Sequence, residues 1–339
     1  MRKRNAGYEF IRDISMLLVL ATHSFSTVSP NYPKESLGGM ILSTVVLWCN
    51  GLFFMISGKF ALSACCRTGA DYRKYYLKRL GSIGIPVLLG MLLRSMYNVG
   101  GWWPEYFLSA DFLKEYIQNV LYRFSSCEYW FLYELVGFLL AAPFLGKFFQ
   151  QATKGELLWF IGICYLWNSL DIILPGIGLE TAWKFPFSGW LVLFVLGYAV
   201  ERIAETEKEE NCWLICGAVS FVITILLKYM GMESGLNGWA PTYGITVGAV
   251  FLGLKRLYRP GKILDAVVIK IGSLTLPVYL LHMIVLYSIL PYIPQWPFLI
   301  RGTVLLFATA GLTLILAWVL DRTVLSGLQW LYRKLTGLQ

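Results

Sequence analysis

Apolar runs close to 20 residues recur along the whole chain, separated by short stretches that carry most of the charge. As a helix, a run of that length spans a hydrocarbon core of about 30 Å. The pattern predicts spans at roughly 10–28, 40–65, 80–99, 129–149, 156–174, 187–203, 212–230, 239–257, 268–290 and 299–320. It leaves no stretch long enough for a separate soluble domain, so the reading is one integral membrane domain over 1–339, an all-α polytopic bundle. Pro86, Pro143 and Pro277 fall within or near spans, where each would kink its helix and free a backbone carbonyl that needs a partner. No internal repeat is visible.

Between the third and fourth spans, "SADFLKEYIQNVLYRF" places apolar residues at 112, 113, 116, 117, 120, 121 and 124. That is a helical stripe. Ser109 is placed to cap it, and Asp111, Lys114, Glu115 and Arg123 form its polar face, which predicts an amphipathic helix lying along the outer surface. The string "ERIAETEKEENCW" reads as a solvated charge run.

Composition agrees: 57% of the 339 residues are hydrophobic and only 14% are charged, more apolar surface than a soluble domain can hide. Charge then orients the bundle. With "MRKR" placed in the cytoplasm, the inward segments hold 21 of the 29 Lys and Arg, so both termini are expected inside. The net charge of +9 is accounted for by this clustering at helix ends, against anionic headgroups, and calls for no nucleic acid. A basic start before "ISMLLVLA" also fits a cleaved signal peptide, but Arg12 and Asp13 interrupt the run and no A-x-A site follows, so the run is kept as a span. The seven cysteines form no CxxC pair and read as small core residues. With two histidines and no clustered ligands, no metal is expected.

Ionisable residues at membrane depth are costly and mark candidate sites. Arg12 and His23 are eleven residues apart, and eleven steps of 100° return to within about 20° of the start after a rise of about 16 Å. They share a helix face. Glu9, one turn before Arg12, is placed to hold the guanidinium. The other histidine, His282 in "IGSLTLPVYLLHMIVL", lies at a matching depth in its own span, which suggests a buried polar chamber. "NGLFFMISGKFAL" puts the small residues Ser57 and Gly58 where helices approach closely, followed by Lys59, long enough to snorkel toward the cytoplasm. "YRKYYLKRLGSIGIP" supplies Arg73, Lys74, Lys78 and Arg79, which with Arg67 make five cations able to meet a phosphorylated ligand from inside, or lipid headgroups. "EYWFLYELVGFLLAAP" opens the fourth span with Glu128 on the outer side and Glu134 within.

The order "FIR" with His eleven residues after its Arg, "FFMISG", "KRL" with a following "IP", "YWFLY" with a later Pro, "FVLGY" and "YLLH" resembles the bacterial acyltransferase-3 family of ten-helix membrane proteins, over nearly the whole chain. The shorter, stand-alone type is the closer likeness, including the membrane half of vancomycin-resistance serine racemases. The resemblance implies transfer of an acyl group, usually acetyl, from cytoplasmic acyl-CoA to a hydroxyl on an envelope glycan or related outward acceptor, in the inner (plasma) membrane. It also brings Trp130, in "YWFLY", among the residues that orient substrate. The chain departs from the family where many relatives carry a second Arg, here Ser82, where an aromatic is usual, here Lys59, and where a His often precedes the Trp-Phe pair, here Glu128.

On this reading Arg12, Lys59, Lys78 and Arg79 meet the donor acetyl-CoA, or another acyl-CoA. His23 is the general base, since a neutral imidazole near neutral pH suits removal of a hydroxyl proton. An acyl-imidazole on His23 is the variant. His282 or Ser57 orients the acyl group or donates to the oxyanion, while Glu9, Glu128 and Glu134 orient side chains or substrate. A non-enzymatic exporter or permease for a glycan, lipid-linked sugar or amino acid would use the same intramembrane charges as a transport path.

Overall fold

The fold is described from a computed structural model, which covers residues 4–101, 103–121, 127–176, 178, 179, 185, 187, 189–232, 238 and 240–338. Among these residues there is no β-strand. The long helices are α1 (Ala6–Val28), α2 (Leu37–Ala61), α3 (Gly69–Asn98), α4 (Ala110–Leu121), α5 (Trp130–Gln151), α6 (Lys154–Gly176), α7 (Leu191–Ile203), α8 (Glu207–Tyr229), α9 (Pro241–Leu257), α10 (Lys262–Ile289), α11 (Phe298–Leu320) and α12 (Ser326–Thr336). Each of the ten predicted spans overlaps one of them. Seven helical segments among the described residues are long and apolar enough to cross a membrane. The other three predicted spans are α1, whose first half carries Glu9, Arg12 and Asp13, and the shorter α7 and α9, with 13 and 17 residues. At 1.5 Å per residue α7 reaches only about 20 Å, short of a full crossing.

The chain divides into two compact units, both discontinuous in sequence. The first holds residues up to Thr22, Ser29–Cys65 and Leu135–Gly272; the second holds His23–Val28, Cys66–Glu134 and Ser273–Gln339.

In the first unit α2 packs on α7, with α8 and α9 beside them. Ser36 caps α2 by accepting the Gly39 amide at 3.0 Å. The α2–α7 contact is backbone to backbone: a Cβ on Gly58 would enter the Phe194 carbonyl, and one on Gly197 would enter the Met55 carbonyl. Small residues here let the two helix backbones approach closely. Nearly every residue of α7 is buried, from Leu191 through Val200, which explains why that helix is apolar on all sides.

In the second unit α3 contains a π turn at Leu80–Gly84, where the Ile85 amide reaches back to the Leu80 carbonyl. The next donor in that pattern would be residue 86, a proline without an N–H, so the Gly81 carbonyl loses its helical partner. Gln329 of α12 supplies the missing bond at 3.2 Å, and Tyr332 donates to Leu77 at 3.0 Å. The amphipathic segment forms as α4, with Ser109 capping Phe112 at 3.2 Å. Of its apolar stripe only Phe112 is buried; Leu113, Ile117 and Leu121 are exposed, and Arg123 and Phe124 lie outside the described residues. Tyr116 ties α4 to the Leu88 carbonyl of α3 at 2.9 Å. The cysteines are not all core residues. Cys49, Cys66 and Cys164 are core residues, but Cys65, Cys212 and Cys216 are exposed, the last two because the apolar face of α8 that carries them is turned outward.

Candidate active site

Both histidines belong to the second unit. His23 stands in the last part of α1 and His282 in α10, and their rings meet with centroids 5.1 Å apart at 47°. His282 is fully buried, while His23 keeps partial exposure. His282 Nδ1 lies 2.5 Å from the Tyr279 carbonyl oxygen of its own helix. A carbonyl only accepts, so Nδ1 carries the proton and, in the neutral ring, Nε2 keeps a lone pair. That Nε2 is buried without a hydrogen-bond partner among the described residues.

Glu128 is brought to the same place by two tyrosines. The Tyr279 hydroxyl donates to the Glu128 main-chain carbonyl. The next residue, Tyr129, fully buried, reaches the Leu280 carbonyl at 3.2 Å and the Gly90 carbonyl at 3.4 Å. The turn before α5 is thereby pinned to the stretch of α10 that carries His282. α3 closes on the same stretch, since a Cβ on Gly90 would stand 2.7 Å from Leu280. Glu128 is buried, and its carboxylate is within electrostatic reach of His23.

Arg94, on α3, completes this group and is absent from the candidates read in the sequence. It is buried, its guanidinium lies 5.5 Å from the Tyr97 ring and 5.4 Å from the Tyr287 ring, and its charge reaches His282. The signal was available in "MLLRSMYN", a guanidinium inside an apolar run.

Of the remaining candidates in this unit, Trp130 begins α5, partly exposed, and Glu134 is exposed one turn on. Lys78 is exposed, and Arg79 stacks over Tyr75 at 5.2 Å, both just ahead of the π turn.

The first unit holds Glu9, Arg12, Ser57 and Lys59. The buried Glu9 carboxylate accepts Arg12 Nη1 at 2.6 Å and Arg4 Nη1 at 3.5 Å, so the guanidinium is held as the spacing predicts. Lys59 does not snorkel free: it pairs with Glu201, which also takes Lys255 and the Tyr8 hydroxyl, the latter at 2.7 Å. Ser57 sits on α2, partly exposed. Among the described residues no group of three or more His, Cys, Asp or Glu side chains is arranged to hold a metal.

Seven apolar helical segments of crossing length among the described residues mark a multi-pass membrane protein, and its second unit gathers two imidazoles, a carboxylate and a guanidinium. A family model described as an acyltransferase domain matches residues 5–322, and the chain belongs to the acyltransferase-3 family. It is a membrane acyltransferase. No curated protein and no solved structure matches it.

Proposed function

We propose that the protein transfers an acyl group, acetyl in the first instance, from acyl-CoA on the cytoplasmic side to a hydroxyl of a cell-envelope glycan or related outward acceptor. The observation that carries this reading is the contact between His23 and His282 with the buried Glu128 beside them, inside a chain of this family. His23 takes the hydroxyl proton as the oxygen attacks the thioester carbonyl. The C–S bond then breaks, and the imidazolium returns the proton to the departing CoA thiolate, leaving an ester and free CoA. Glu128 favours the imidazolium by its charge. His282, with Nδ1–H fixed on the Tyr279 carbonyl, presents its Nε2 lone pair as an acceptor that orients the neighbouring groups.

The donor is assigned to the cations, with Arg12 on the same helix as His23 and Lys78 and Arg79 at the start of α3. Arg12 and Lys59 already face carboxylates, so a CoA phosphate there would share or displace Glu9 and Glu201. Arg79, stacked on a tyrosine, is the freer phosphate contact. The inner membrane, with both termini in the cytoplasm, is the location that fits this chemistry.

The test uses purified protein in lipid vesicles with acetyl-CoA labelled in the acetyl group. Release of CoA thiol together with base-labile label on an envelope glycan acceptor is expected. No thiol release with any acyl-CoA, alongside uptake of a solute, would replace this reading by transport.

A further inference from the structure

Arg94 is 7% exposed, and its Nε and Nη1 have no hydrogen-bond partner among the described residues. The next residue, Ser95, is likewise buried, with its hydroxyl unpartnered. No carboxylate of the described residues forms an ion pair with the guanidinium. Its company is aromatic instead: Tyr97 and Tyr287, at 5.5 and 5.4 Å. Such contacts recover part of the desolvation of a cation and satisfy none of its N–H groups. A guanidinium cannot escape by losing its proton. Glu128 is buried in the same group but forms no ion pair with the guanidinium, so the unpaired N–H groups carry a desolvation cost that an anion from outside the chain would relieve.

Two features say from where. Tyr97 and Tyr287 are each more than a third exposed, so the rings beside the guanidinium reach the surface of the unit. On its other side Arg94 is in electrostatic reach of His282, whose ring touches His23. A ligand held by Arg94 therefore lies between the surface and the imidazole pair, the place of the molecule whose hydroxyl is to be deprotonated.

We propose that Arg94 binds an anionic group, a carboxylate or a phosphate, that the acyl acceptor carries near the hydroxyl to be acylated. This assignment of substrate class rests on the acyl-transfer reading, and the anion site itself does not. Arg94 delivers charge complementarity and planar N–H donors to that group, fixing which hydroxyl faces His23. A neutral acceptor of the same shape would leave the guanidinium unpaired in the complex, so it would be rejected.

Direct binding tests the site without any acyl donor. Wild type, Arg94→Gln and Arg94→Lys in lipid nanodiscs are titrated by calorimetry with inorganic phosphate, glucuronate and uncharged glucose at constant ionic strength. Saturable binding of phosphate or glucuronate, not glucose, is expected in wild type, at least 10-fold weaker in Arg94→Gln and partly restored in Arg94→Lys. The stronger anion identifies the acceptor's group. Without added anion, Arg94→Gln should melt no lower than wild type, because it removes an unpaired buried charge, whereas an arginine with a merely structural role would be missed. With acetyl-CoA and an envelope glycan acceptor present, the bound anion should inhibit transfer in competition with the acceptor. Absence of Arg94-dependent anion binding, or binding that leaves transfer untouched, would overturn the proposal. If wild type binds the anion yet consumes no acyl-CoA, the anion site stands and the acyl-transfer reading fails.

Discussion

Replacing Tyr279 by Phe removes a single hydroxyl and keeps the ring that lies 5.5 Å from His282 and 5.9 Å from Phe131. What is lost is the bond to the Glu128 carbonyl, which with the Tyr129–Leu280 bond ties that turn to α10. Leaving a buried carbonyl unpaired costs about 1–3 kcal/mol. In a chain of 339 residues that shifts melting by a few degrees at most, so the variant should fold. The effect on turnover should be larger than the effect on stability suggests. A carboxylate on the order of 5 Å from an imidazolium, at an effective dielectric of about 20, favours it by roughly 3 kcal/mol, about a hundredfold in rate. Glu128→Gln, which keeps the backbone and removes the charge, measures that ceiling. Tyr279→Phe keeps the charge and loosens its seat, so a fall in kcat of about tenfold is expected, with KM for acyl-CoA unchanged. The assay is thiol release from acetyl-CoA in nanodiscs, run as a double-mutant cycle. Once Glu128 is Gln, removing the Tyr279 hydroxyl should cost turnover little. Independent, additive losses, or full activity in Tyr279→Phe, would refute the view that this hydroxyl acts by seating Glu128.

Arg79→Ala should raise KM for acyl-CoA several-fold with a smaller fall in kcat, because a phosphate contact is present in ground state and transition state alike; steady-state kinetics over a range of salt checks it. Gly197→Ala should destabilise by at least about 1–3 kcal/mol, since its methyl meets the Met55 carbonyl, while Gly162→Ala, with open space around it, should be neutral or gain up to about 1 kcal/mol; thermal melts compare the two. The Glu209 carboxyl is pushed down to about 2 from an ordinary 4.5 by hydrogen bonds from Lys154 and the Thr206 amide. Its contribution to stability is therefore full above about pH 4.5 and is lost as pH falls toward 2, and the acid limb of a melting curve should shrink in Glu209→Gln. The proposed orientation, with both termini inside, predicts that cysteines introduced at 70 or 258 resist labelling from outside intact cells; labelling there would overturn it.

The helices were legible because apolar runs of crossing length leave little choice of structure, and even the Ser109 cap and the Glu9–Arg12 pair followed from spacing along one helix. Pairings across hundreds of residues were not. Lys59 reads locally as a snorkelling cation, yet Glu201 stands 142 residues away and claims it. The stretch 187–203 reads as a full span, yet α7 begins only at Leu191, because a helix buried on nearly every side and a spanning helix have the same composition. The two histidines suggested a shared level by counting residues from the helix start, but their contact depends on how α1 and α10 pack. Arg94 lies within an apolar run and not at a helix end, where charge decides orientation, so the charge pattern alone does not single it out.

In the proposed reaction the imidazole of His23 performs the proton transfer of an acyl transfer from acyl-CoA. The most direct measurement is thiol release and label transfer from acetyl-CoA by purified His23→Ala and His23→Gln beside wild type, each first shown to melt within a few degrees of it. General-base catalysis contributes about 10²–10⁴-fold, so turnover should fall by at least about a hundredfold in both variants, with acyl-CoA binding retained. Retention of most of the wild-type turnover by either folded variant would contradict it.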